Sequence, residues 1–430
     1  MIDREILPVS ASTTAHNGHR PLAQETLFRN ARRIKLLKNR QGEPLENIPN
    51  VMLILQHHPE QKGRLWWDSV RQQAMHGEVP LTDKHVADRA SWLGTQMRMS
   101  VRSFRLVKQC MQAVSQETPR DLLHEWLEHL PPWDGTPRLM FWLGVVASVE
   151  MTPLNQAISR LIPVSMVARA LKPGCQYRSV VIFEGLEDSG KSKLVRALAG
   201  DEWYVEMPAD LRSKEAHMLI QGAWVAEFGE LDSLNRTEET RIKTFITMVT
   251  DDYIPKFSND RVSHPRRTIF LGTTNEDSYL KGQTGNTRFL PVKTGAIDVD
   301  RFLSRREQLF AEALAYYHAH QDDWWRLPDE TQAEAAAARD ARRVVNAYEA
   351  ELSDWLYNRR GEGLSGAPTT WHEIAQDCLH IERPEGWKDK SLQMQIGQAM
   401  RALGWKSVSV RHGKSVTRYW VEEDTSASTL

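Results

Sequence analysis

Val180-Val181-Ile182-Phe183-Glu184 runs directly into Gly185-Leu186-Glu187-Asp188-Ser189-Gly190-Lys191-Ser192. A short β-branched run, a glycine-bracketed loop and an amphipathic segment from Lys193 to Leu198 follow the order G-x-x-x-x-G-K-[ST] of a phosphate loop. In such a loop Gly185, Ser189, Gly190, Lys191, Ser192 and Lys193 turn backbone N–H groups toward a polyphosphate, and the following helix aims its positive end at the same anion. The expected ligands are ATP and Mg2+. Lys191 would reach the β and γ phosphates, and the Ser192 hydroxyl would complete the magnesium shell. Glu187 and Asp188 would repel such a ligand if they pointed inward, so this reading requires them to face out.

Hydrolysis needs more than a cradle. Ala223-Trp224-Val225-Ala226 is a short apolar strand that ends in Glu227, with Glu230 three residues later. If that strand lies beside the phosphate-loop strand, Glu227 serves the metal and Glu230 polarises the attacking water; the two roles could be exchanged. A third apolar strand, Thr268 to Gly272, closes with Thr273-Thr274-Asn275, and the Asn275 amide there could sense the terminal phosphate. Arg288 follows in a glycine-flanked loop. An arginine that stabilises transition-state charge is often delivered by a neighbouring molecule, which implies a closed ring of head-to-tail contacts. Arg266 and Arg267 compete for that role. Between the acids and the third strand, a helix from Thr237 to Val249 leads to a candidate hairpin turning at Ser258-Asn259-Asp260. Lys256 and Arg261 flank the turn and could track single-stranded DNA from the hole of a ring.

The elements that must hold these residues divide the 430-residue chain into several parts. Residues 1–45 read as a flexible arm. Residues 46–150 read as a helical domain, from apolar spacing such as Trp92, Leu93, Met97, Val101 and Phe104, with Asp83 as a cap. Pro131-Pro132-Trp133-Asp134-Gly135-Thr136-Pro137-Arg138 is a dense turn cluster within it. Strands and helices alternate through residues 151–325, which predicts an α/β P-loop NTPase core with a parallel sheet flanked by helices. Residues 326–350 read as a connecting helix, from an Ala/Glu/Arg-rich run, and residues 351–430 as a winged-helix-like domain. Apolar runs fall well short of the ~18 residues of a membrane helix, and the N-terminus lacks a secretory pattern, so a cytoplasmic protein without membrane contact is expected. The three cysteines are scattered, which argues against a disulfide framework or zinc site.

Taken together, the motifs resemble the virulence-associated E family of phages, phage satellites and plasmids, whose ATPase domain is similar to superfamily-three helicases within the AAA+ group. The resemblance covers about residues 45 to 325. It runs through Trp133-Asp134-Gly135-Thr136-Pro137-Arg138, Lys172-Pro173-Gly174-Cys175, the phosphate loop, Trp224-Val225-Ala226-Glu227 with Glu230-Leu231, and Ile242-Lys243. It continues through Pro265-Arg266-Arg267, Gly272-Thr273-Thr274-Asn275 and Thr284-Gly285-Asn286-Thr287-Arg288-Phe289-Leu290-Pro291. It implies an AAA+ helicase, a hexameric ring, serving replication of a mobile element. Lys191 and Ser192 become the nucleotide and magnesium residues, Glu227 and Glu230 the acidic pair, Asn275 the sensor, Arg288 the finger and Lys256 the hairpin contact. The chain departs from the family in the Glu187-Asp188 centre of its loop and in Thr287-Arg288, where relatives often pair two arginines. Any primase is expected on a separate chain.

The net charge of −1 does not by itself announce a nucleic-acid partner. Its distribution does: Arg401, Lys406, Arg411, His412, Lys414 and Arg418 fall in one stretch with no acid before Glu422. Helices at 369–375 and 391–403 precede a hairpin, Lys406–Arg411 and Val416–Val421, in the order of a winged helix. Arg401, Arg411, Lys414 and Arg418 are its candidate contacts to fork DNA. The expected activity is ATP-driven translocation on single-stranded DNA with duplex unwinding. The alternatives are a nucleotide-switched DNA-binding initiator or phage-defence ATPase that does not unwind, and a phosphate-loop kinase acting on a small molecule.

Overall fold

The structure, a computed structural model, describes residues 34–208, 211, 214–230, 236–254, 261–281, 286–344, 346–361, 367–381, 389–412 and 415–423. The chain divides into two compact units, Met1–Trp126 and Leu127–Leu430.

In the first unit, helices α1 (Ile48–His57), α2 (Asp83–Met97) and α3 (Phe104–Gln116) pack Val51, Ile54, Leu93, Val107 and Met111 into one core. The unit is not purely helical. Strands β1 (Leu65–Asp68), β2 (Gln73–His76), β3 (Val79–Pro80) and β4 (Pro119–Arg120) form a sheet in the order β3-β2-β1-β4. Helical spacing could not reveal it, because each strand is four residues or shorter. Thr82, not Asp83, caps α2, and its N–H donates to His85 Nδ1 at 3.1 Å. Helix α2 stops at Arg98, which takes a left-handed φ of 53°. Ser103 caps α3 afresh, its hydroxyl oxygen accepting the Leu106 N–H at 3.2 Å, so Phe104 starts a new helical phase and points to solvent rather than the core. A fourth helix, α4 (Leu122–Glu128), runs across the division between the units.

The second unit is built on a five-stranded parallel sheet. Helices α5 (Trp142–Ala147) and α6 (Pro153–Leu171) precede it. Strand β5 (Val180–Glu184) then leads into α7 (Lys191–Ala199), β6 (Tyr204–Glu206), α8 (Lys214–Leu219), β7 (Val225–Phe228) and α9 (Arg236–Thr247). A separate antiparallel pair, β8 (Thr250–Tyr253) and β9 (Val262–Pro265), comes before β10 (Ile269–Thr274) and β11 (Phe289–Lys293). The main sheet runs β11-β5-β10-β7-β6, and all of its pairings are parallel. β5 is buried along its whole length, as a central parallel strand requires, which explains its unbroken apolar run. Helix α6 is buried almost all round, and its Met166 carbonyl accepts the indole N–H of the fully buried Trp224 at 2.7 Å.

The strand order differs from the expected one. β10 inserts between β5 and β7, so the acid-bearing strand is one place removed from the phosphate-loop strand. Chain order does not fix sheet order when each crossover can reach past a neighbour.

Helices α10 (Val299–Leu303) and α11 (Arg306–Ala319) follow the sheet. The expected single connecting helix is broken: α12 (Gln332–Asp340) ends, and α13 (Glu349–Gly361) begins after a gap. Backbone pairing captures that gap. Tyr279 N and Leu280 N both donate to Arg342 O, and Val344 N donates to Leu280 O at 2.9 Å. The C-terminal part contains β12 (Thr369–Thr370), α14 (Trp371–Glu373), a π-helical turn (Ile374–Cys378), α15 (Lys390–Ala402), β13 (Trp405–His412) and β14 (Ser415–Glu422). Its sheet is antiparallel in the order β12-β14-β13, and Trp405 and Trp420 pack with Ile396 and Met400 in a core of their own. Thr369 and Thr370, expected as the start of a helix, pair with β14 instead, and Thr370 caps α14 through a reciprocal bond with Glu373.

A lysine, serine and carboxylate cleft at the carboxyl edge of the sheet

The three central strands of the sheet end on the same side, as parallel strands must. The segments that leave them border a cleft of about 420 Å3. Gly185, at the exit of β5, passes so close to Thr294 that a Cβ there would sit 2.8 Å from the Thr294 hydroxyl oxygen. Gly190 has a φ of +98° at the cap of α7, a conformation glycine adopts without the cost a side chain brings. Asp188 also lies in the left-handed region at φ 56°, which aspartate tolerates better than most residues. This bends the loop so that Glu187 and Asp188 are exposed at the rim of the cleft. Their charges still reach Lys191.

Lys191 is 6% exposed, and its Nζ donates to the carbonyl oxygens of Gly185 (2.9 Å) and Leu186 (2.6 Å), to Asn275 Oδ1 (2.8 Å) and to Ser189 Oγ (3.4 Å). Every one of these acceptors is neutral. Burial lowers the Lys191 pKa, and the surrounding Asp188, Glu187 and Glu227 charges oppose that shift. A buried ammonium without a bonded carboxylate is an electrostatically incomplete group, and an anion completes it.

Glu227 is 1% exposed and takes three hydroxyl donors: Ser192 Oγ at 2.6 Å and Thr273 Oγ1 at 2.7 Å to Oε1, and Tyr204 OH at 2.6 Å to Oε2. Burial, and then the bond and charge of Glu227, push the Tyr204 phenol well above its ordinary pKa. β6, β7, β10 and α7 thus converge on one carboxylate. Glu230 lies past the end of β7 at the cleft wall, exposed, in a left-handed φ of 48°. Asp188 and Glu230, both non-glycine residues at positive φ, line the same cleft.

These residues fit a magnesium nucleotide. Mg2+ takes few protein ligands and completes its shell with phosphate oxygens and water, and Ser192 with Glu227 offers a hydroxyl and a carboxylate side by side. Among the described residues no group of three or more His, Cys, Asp or Glu side chains could hold a metal by itself.

The cleft gathers Gly185, Ser189, Gly190, Lys191, Ser192, Lys193, Glu227, Glu230 and Asn275. It does not gather Arg288. Phe289 pairs with Val180 and Lys293 with Glu184, so Arg288 lies at the amino end of the sheet, about 16 Å from the loop by strand rise. Arg267 precedes β10 at that same end. Arg266 is 2% exposed, donates from Nε to Asp251 Oδ2 at 2.8 Å and lies over the rings of Phe245 and Phe270, so it is a core group rather than a finger.

β8 and β9 pair from Thr250↔Pro265 to Tyr253↔Val262, and Arg261 at their open end bonds Asp252 at 3.1 Å. Lys256 and the expected Ser258-Asn259-Asp260 turn lie outside the described residues. In the C-terminal part, the register sets Arg418 opposite Ser409, two residues from Arg411 on the same face. Trp420 shares that face, and the Arg401 guanidinium lies 5.7 Å over its ring. Arg401, Arg411 and Arg418 therefore converge on one face, while Lys414 lies outside the described residues.

Tyr204 and Thr273 are partners of Glu227 whose role carries no signal in the sequence alone. Thr273 stood in a singled-out motif, but only the insertion of β10 beside β7 gives it that role. Tyr204 sits in a three-residue strand too short to register. Arg342 was also missed. It forks onto Glu184, the last residue before the loop, from Nε (2.9 Å to Oε1) and Nη2 (2.8 Å to Oε2), and Tyr279 OH donates to Oε1 at 2.7 Å.

Sheet, flanking helices and cleft define an α/β protein with a cleft at the carboxyl ends of parallel strands. The chain belongs to the virulence-associated protein E-like family, whose domain matches residues 127–344, a span that contains the whole five-stranded sheet. No curated protein matches the chain. Among solved structures it is similar to the apo structure of the NrS-1 C terminal region (305–718), at 13% identity and a TM-score of 0.50 over 83% of this chain and 95% of that one. The A form apo structure of the same region gives 12% identity and a TM-score of 0.46 over 83% and 96%. The former likeness shows a shared fold.

Proposed function

We propose that this protein is an AAA+ ATPase that couples ATP hydrolysis to translocation on single-stranded DNA and duplex unwinding, in the replication of a mobile genetic element. The observation that carries the reading is the convergence of Lys191, Ser192, Glu227 and Asn275 on one cleft, with Arg288 held at the far end of the same sheet. Family membership and the strand order β11-β5-β10-β7-β6 support it.

In this reading Ser192 and Glu227 would hold Mg2+, which when bound would neutralise charge on the phosphate oxygens, and the chain supplies the rest. Loop N–H groups and Lys191 hold the phosphates in line, Ser192 and Glu227 hold the metal side, and Glu230 takes a proton from the attacking water. Asn275 shares the Lys191 amine, so it is placed to register what that amine binds. Arg288 cannot reach its own cleft, and a neighbour in a head-to-tail ring, here a hexamer, would present it to the next site. The hairpin carrying Lys256 and Arg261 would follow single-stranded DNA. Arg401, Arg411, Lys414 and Arg418 on a winged-helix tail would touch the fork, and a primase would act as a separate partner. The converging C-terminal arginines also suit a second reading, a DNA-bound initiator that hydrolyses ATP and does not unwind. Strand displacement of a forked substrate separates the two: the helicase displaces the strand with ATP and loses this in Lys191→Ala, whereas an initiator retains the strand with either protein.

A further inference from the structure

In a chain of net charge −1, no Asp or Glu occurs between Asp88 and Glu117, while Arg89, Arg98, Arg102, Arg105 and Lys108 all fall there. The structure separates these cations. Arg89 lies in the core of the first unit and Lys108 pairs with Asp83 at 2.7 Å, but Arg98, Arg102 and Arg105 are exposed on the α2–α3 connection and the first turn of α3. None of these three side chains has an ion-pair or hydrogen-bond partner among the described residues. The nearby carboxylates are engaged elsewhere: Glu46 accepts the backbone N–H groups of Arg102 (2.8 Å) and Ser103 (2.7 Å), and Asp83 holds Lys108. Between the arginines stands Phe104, 61% exposed. An exposed ring flanked in the chain by arginines whose side chains have no carboxylate partner among the described residues offers an apolar face beside positive charge.

We propose that this corner of the first unit binds single-stranded nucleic acid, with Arg98, Arg102 and Arg105 on successive phosphates and Phe104 stacked against an unpaired base. The charge pattern suits a polyanion, and the exposed ring selects for a strand whose base faces are open; a duplex offers the phosphates but keeps its bases stacked. The site lies in the first unit, whereas the cleft belongs to the second, and it works without nucleotide.

The test uses the full chain in a Lys191→Ala background, without ATP, so that its outcome does not depend on hydrolysis. Binding of a labelled oligothymidylate, and of a duplex of equal length, is titrated against salt. The triple variant Arg98→Gln/Arg102→Gln/Arg105→Gln should lower the slope of log K against log salt by about two for the single strand. Phe104→Ala should weaken single-strand binding at least about fivefold with the slope unchanged. Both variants should keep the parent's melting temperature, since the altered side chains are exposed. An unchanged slope in the triple variant overturns the site, and so does an absence of oligothymidylate binding by the parent. Duplex binding as tight as single-strand binding, with no effect of Phe104→Ala, overturns the assignment to single strands.

Discussion

Glu227 and Lys191 occupy opposite electrostatic situations within one cleft. The carboxylate is surrounded by three hydroxyl donors, while the ammonium has only neutral acceptors. Lys191→Ala should abolish ATP turnover, as read by phosphate release. Glu227→Gln and Glu230→Gln should divide the acidic roles: loss of the metal-side carboxylate weakens Mg2+-dependent nucleotide binding, whereas loss of the base spares binding and cuts kcat by about 100-fold to 10,000-fold. Nucleotide-binding and turnover measurements on both variants assign the base. Glu187 stands at the rim with its charge directed at the same ammonium, so Glu187→Gln should lower the KM for ATP by about twofold to threefold, more at low salt. The residue types that line this cleft were legible in the chain, since Lys191, Ser192, Glu227, Glu230 and Asn275 all border it, although β10 separates the acid-bearing strand from the phosphate-loop strand. Tyr204 and Thr273 were not, because their role depends on which strands become neighbours.

Strand β5 delivers the loop, and Arg342 fixes the end of that strand from a segment well over a hundred residues away. Its fork onto the 2%-exposed Glu184 is a partly buried charge pair. Arg342→Met leaves that carboxylate without its cation and should destabilise the second unit by about 3 kcal/mol, seen as an earlier denaturant midpoint. Glu184→Gln/Arg342→Met together should recover part of the loss, because no unpaired charge then remains. β5, β10 and α6 were legible from their apolar runs. The break between α12 and α13 was not: an Ala/Glu/Arg-rich run favours helix, and the backbone pairing of Arg342 and Val344 with Tyr279 and Leu280 overrides that propensity. Phe104 was misplaced for a related reason, since the spacing carried one helix through Arg98, where the backbone turns left-handed.

Taken whole, the chain has three free cysteines, and burial raises the pKa of each, that of Cys378 to about 12. An acid whose pKa rises on folding keeps its proton longer in the native state, so its contribution to stability is full below the ordinary value of 9.0 and falls as pH rises toward 12. Iodoacetamide at pH 8 should therefore leave Cys110 and Cys378 unlabelled in the native protein and label all three thiols in denaturant, as mass spectrometry would read. The chain divides between Trp126 and Leu127 rather than at the expected residue 150, and the sheet of the first unit was not legible, its strands being too short to show a period.

Arg288 lies at the end of the sheet away from its own cleft, so the proposed ring requires a neighbouring chain to supply that arginine. Phosphate release by an equal mixture of Lys191→Ala and Arg288→Ala chains measures this directly. Each variant alone should be inactive, and mixing should restore about a quarter of wild-type turnover, since random head-to-tail pairing joins an intact loop to an intact arginine at one interface in four. A mixture as inactive as its components, or an Arg288→Ala chain active by itself, would contradict the shared site.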